Sequence, residues 1–66
     1  MDNLIQEFKN QLKIELKACG TGIFPQICKM NETDRGFEEI FKNVYKIVSE
    51  TGMSIGSALA QYESSL

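Results

Sequence analysis

At 66 residues the chain holds one domain with a thin core, since a chain this short buries only about 60% of the surface its unfolded form exposes. A hydrophobic content of 42% excludes a disordered polymer, and a net charge of −2 with no basic cluster gives no electrostatic footprint for nucleic acid. Apolar runs never exceed three residues, which excludes a membrane-spanning helix, and the start Met1-Asp2-Asn3 lacks the layout of a secretory signal, so one cytoplasmic domain over residues 1–66 is expected.

Asp2 or Asn3 can cap a first helix that is expected to run to about Ala18. With each residue stepping about 100° around a helix axis, Leu4, Ile5, Phe8, Leu12, Leu16 and Cys19 share one arc of about 120°. Lys9, Lys13 and Lys17 lie on the other side and read as a solvated face whose stems cover apolar surface. A second period competes here, because Leu12 to Ala18 alternates strictly, as a half-buried strand does. The helix is favoured by its good helix formers, Leu, Lys, Glu and Ala. A β-hairpin across residues 11–30, turning at Gly20-Thr21-Gly22, is the alternative, and Pro25 fits its second strand poorly.

Gly20 suits the end of the first helix, and Pro25 opens a short helical turn through Lys29. Ile23, Phe24 and Ile27 are expected to plug the core. Cys19 and Cys28 are the only cysteines. A bridge between them would stabilise by about 2–3 kcal/mol through loop closure. A reducing cytosol favours the other state, two small thiols packing as hydrophobes.

The main helix is predicted over residues 34–51, capped by Thr33 or Asp34. Phe37, Ile40, Phe41, Val44, Ile47 and Val48 recur at steps of three and four and form its buried face. Glu38 and Lys42 are spaced as an i,i+4 ion pair. Gly52 fits a left-handed terminus with positive φ, and Ser54 fits the N-cap of a last helix ending near Ser64. That helix points Ile55, Ala58, Leu59 and Tyr62 one way, and its Gly56 and Ala60 are small enough for another helix to approach. The fold class is therefore all-α, a small three- to four-helix bundle with a short turn near Pro25. Its core is expected to be Phe8, Leu12, Leu16, Phe37, Ile40, Phe41, Val44, Ile47, Val48, Ile55 and Leu59.

Catalytic chemistry has little to stand on. The chain has no His, the commonest general base and metal ligand. Two Cys fall short of a zinc pattern, and Gly20-Thr21-Gly22 lacks the Lys-Ser/Thr of a phosphate loop. No enzyme activity, cofactor or metal is expected.

The stretch Ile47-Val48-Ser49-Glu50-Thr51-Gly52-Met53-Ser54-Ile55-Gly56-Ser57-Ala58 resembles a DNA-binding helix-turn-helix in outline. The resemblance implies a reading helix after Ser54, with Ser54, Ser57 and Gln61 facing the bases. It departs from the pattern in two ways. No Lys or Arg follows Lys46, so phosphate neutralisation would have to come from elsewhere, and Val48 is bulkier than the alanine usual at that site.

The favoured reading is a small non-enzymatic protein-interaction module that binds another protein or a second copy of itself. In type it resembles the small accessory and regulatory proteins of bacteria and their phages. Ile14 and Ala18 widen the apolar face of the first helix and Tyr45 that of the main helix, more than one small core can cover. Ile14, Ala18 and Tyr45 are thus the candidate interface, with Lys13 and Lys17 as its polar rim.

Overall fold

The computed structural model describes residues 2–17, 19 and 22–66, with Asp2 described in its backbone alone. Helix α1 spans Asp2–Leu16, α2 Pro25–Met30, α3 Asp34–Thr51 and α4 Ile55–Ser65. The described residues include no strand, and α1 and α2 occupy the stretch where a hairpin was the alternative. Helical character beyond Leu16 is 3-10 at Lys17 and Cys19. The expected end at Ala18 and the Gly20 terminus lie outside the described residues.

Local chemistry accounts for the α3 and α4 boundaries. The Thr33 hydroxyl accepts the Gly36 N–H at 3.0 Å, satisfying one of the open donors of α3. At the other end Gly52 takes φ 74°, and its N–H donates to the Val48 carbonyl at 2.8 Å. Ser54, extended at φ −68° and ψ 162°, then accepts the Ser57 N–H at 3.3 Å and starts α4. Pro25 stands at the opening of α2, where its missing N–H costs nothing.

Leu12 and Leu16 of α1, Phe24 and Ile27 at α2, Ile40 and Val44 of α3, and Ala58, Leu59 and Tyr62 of α4 form the buried core. The expected residues Phe8, Phe37, Phe41, Ile47, Val48 and Ile55 pack around it half-buried. Ile23 was expected to plug the core and instead faces solvent, because the chain turns at Phe24 and only Phe24 and Ile27 point inward. Leu4 and Ile5 share the α1 arc with Leu12, yet Leu4 is 74% exposed and Ile5 is exposed as well.

Cys19 and Cys28 form a disulfide with Cα atoms 5.5 Å apart, a spacing ordinary for such bonds. This corrects the expectation of two separate thiols. That expectation rested on the compartment, whereas the burial of Phe24 and the start of α2 at Pro25 carry Cys28 back against the end of α1. Glu38 is also partnered differently from expectation. It pairs with Lys9 of α1 at 3.3 Å rather than with Lys42 one turn along its own helix.

Candidate functional site

The sequence-derived interface residues do not share one face. Tyr45 is 44% exposed and packs edge-on to Phe8 with ring centroids 5.2 Å apart. Phe41 completes an aromatic trio, 5.7 Å from each of the other two rings. Such tilted and T-shaped pairs each add about 0.5–1.5 kcal/mol beyond the area they bury. Ile14 is 54% exposed, but six residues from Phe8 it stands about 120° around α1 and about 9 Å along it. Ile14 and Tyr45 therefore mark two separate apolar spots, and Ala18 lies outside the described residues.

What stands beside Tyr45 is the open end of α1. Leu4 and Ile5 precede Phe8 by four and three residues, so all three share a helix face. The surface so formed carries Leu4, Ile5, Phe8 and Tyr45. Leu4 and Ile5 are the members that sequence reasoning missed. Their periodicity places them on the core side of α1, but nothing local says that the bundle stops short of that end.

The rim lysines occupy a third place. Lys9, Lys13 and Lys17 line an open groove of about 590 Å³ between α1 and the start of α3, floored in part by Leu16 and Phe37. The Lys9 ammonium lies 4.9 Å from the centre of the Phe41 ring and that of Lys13 lies 5.6 Å from the Phe37 ring. Both are cation–π distances. The three lysines, expected on a solvated face, line a groove, and two of them stand over aromatic rings.

The stretch that carries the helix-turn-helix resemblance forms the end of α3, the Gly52 turn and the start of α4. Ser54, Ser57 and Gln61 are exposed, with Ser54 and Ser57 engaged in capping α4. Gly56 is where α1 approaches α4, as its small size allows. A side chain there would meet the Glu15 carboxylate of α1 at 3.6 Å.

Among the described residues no three His, Cys, Asp or Glu side chains gather as a metal site would require, and no helix is long and apolar enough to cross a membrane. Among the described residues, Tyr62 is the group whose titration is displaced. Burial, and after it the charge of Glu39, raises its hydroxyl above the ordinary value of 10.0. Its oxygen accepts a long 3.4 Å hydrogen bond from the Asn43 amide, within the buried core. Comparison with known protein families, curated proteins and solved structures finds no match to this chain.

Proposed function

We propose that this protein is a small non-enzymatic interaction module, a regulator or adaptor that binds another protein or a second copy of itself. The observation that carries the reading is the apolar surface of Leu4, Ile5, Phe8 and Tyr45. A helix end with Leu4 74% exposed, continuous with an aromatic cluster, is costly to leave bare on so small a domain. Aromatic anchors beside aliphatic side chains are the usual centre of a protein interface. Ile14 offers a second, smaller contact.

The test is association of the parent against Tyr45→Ala and Ile14→Glu, each checked for retained helicity. Loss in Tyr45→Ala places the interface on the aromatic side, and loss in Ile14→Glu places it on the outer face of α1. Binding equal to the parent in both variants defeats the reading.

DNA binding through α4 is the alternative. It has the corner geometry in its favour and the absence of Lys and Arg after Lys46 against it. Duplex binding that weakens steeply between about 50 and about 200 mM salt would favour it. A cytoplasmic location goes with the dithiol form of the protein. The Cys19–Cys28 bond itself suits an oxidising compartment.

A further inference from the structure

We propose that the groove between α1 and α3 receives an acidic helical segment of a partner protein, held by Lys13 and Lys17 over an apolar floor. The proposal rests on the interaction-module reading and names a partner chemistry for it, on a surface separate from Tyr45.

The charges of the groove are unequally compensated. Lys9 is spent on Glu38, 3.3 Å away, and leans on the Phe41 ring. Lys13 and Lys17 have no carboxylate within ion-pair distance among the described residues. Like charges one turn apart repel, so their arrangement is unfavourable in the isolated helix. Asp34, in the first turn of α3, also lines the groove, so three lysines against Asp34 and Glu38 leave the lining a net charge of +1. Local positive charge on a chain of net −2 is a selective feature and not a general basic surface.

The geometry defines what fits. Residues four apart on a helix stand about 5–6 Å apart on its surface, so Lys13 and Lys17 match two carboxylates at the same i,i+4 spacing on an opposing helix. Half-buried Phe37 gives an apolar side chain between those carboxylates a surface to lie on, the pattern of a helix laid in a groove. The Lys13 ammonium stands over the Phe37 ring and keeps its three donors for a partner. Nucleic acid fits less well, because two lysines on a chain of net −2 make no extended phosphate track.

The probe is a labelled, end-blocked peptide of about 16 residues, long enough to sustain a helix, with Glu at i,i+4 flanking Leu. Its binding is read by fluorescence anisotropy. The expected result is saturable binding to the parent that weakens as salt rises and screens the pairs. Lys13→Gln with Lys17→Gln should weaken it about tenfold, two modest charge pairs' worth, without changing the melting temperature. Tyr45→Ala should bind the peptide as the parent does, which separates a failure here from a failure of the interface at Tyr45. The groove is overturned by absence of saturable binding, by equal binding to the double lysine variant, or by loss of binding in Tyr45→Ala. It is equally overturned if the same peptide with Lys for Glu binds as well, or if a DNA duplex binds more tightly than the acidic peptide.

Discussion

The Glu63 carboxylate of α4 accepts the backbone N–H of Ile27 in α2 at 3.0 Å. Its other oxygen lies 3.4 Å from the Gln26 N–H. A six-residue helix cannot hold itself together in water, and Phe24, at the N-cap position of α2, supplies no side-chain acceptor. The last helix provides that acceptor from thirty-six positions away, and so ties α2, with its buried Ile27, onto the bundle.

Glu63→Ala should therefore destabilise the fold by about 1–2 kcal/mol, the cost of leaving a part-buried donor without its charged acceptor. Glu63→Gln, which keeps a carbonyl acceptor, should lose less. Urea unfolding measures both, and equal stability of Glu63→Ala and the parent would show that water replaces the carboxylate at no cost.

Gly36 lies where α3 begins against the end of α2. A Cβ at this position would overlap the Met30 carbonyl, and backbone cannot yield as a side-chain tip does. Gly36→Ala is expected to cost about 2 kcal/mol or more, in the range of an overpacked core. A melting temperature unchanged from the parent would mean that the α2–α3 turn can open freely.

At Gly52 space is not the obstacle, since nothing stands within 4 Å of an added Cβ. The φ of 74° is. Gly52→Ala should cost about 1 kcal/mol from the left-handed backbone alone, and so less than Gly36→Ala. The reverse order would contradict the distinction between clash and strain.

These positions were legible in the sequence to different degrees. Thr33, Gly52 and Ser54 announce the ends of α3 and α4 because caps and termini are written in local residue chemistry. The steps of three and four from Phe37 to Val48 announce its inner face in the same way. Glu63 reads as one more surface acid, because its partner is brought to it only by the tertiary fold. The lysine groove was missed for a related reason. Helix periodicity places Lys9, Lys13 and Lys17 off the core face of α1, but it does not tell which neighbouring helix flanks them. Leu4 and Ile5 show the opposite limit, a core-like face that outruns the helices available to cover it.

Tyr62 sets an alkaline limit on stability. Its hydroxyl titrates above 10.0 in the fold, from burial first and the Glu39 charge second, so the fold favours the neutral phenol. That contribution is fully present below pH 10.0 and is lost as pH rises through the folded value. Tyr62→Phe should remove this part of the alkaline loss while leaving stability near neutrality little changed. Chemical denaturation across the alkaline range tests it, and parallel curves for the two proteins would contradict it.

The disulfide closes a short loop between the end of α1 and α2. Cys28→Ser should lower stability by about 2–3 kcal/mol. The parent in reductant should match the variant without reductant. A parent indifferent to reductant would show that α2 is held by Ile27 and Glu63 alone.

The surface of Leu4, Ile5, Phe8 and Tyr45 is the proposed protein-binding face. Sedimentation velocity of the labelled protein, run in buffer and in extract of its native host, tests it in one measurement for both a second copy and a different partner. The parent should sediment faster than a 7.5 kDa monomer in at least one of these. Tyr45→Ala, with its helicity intact, should return to the monomer rate. A parent that stays monomeric in both, or a Tyr45→Ala protein that sediments with the parent, would contradict it.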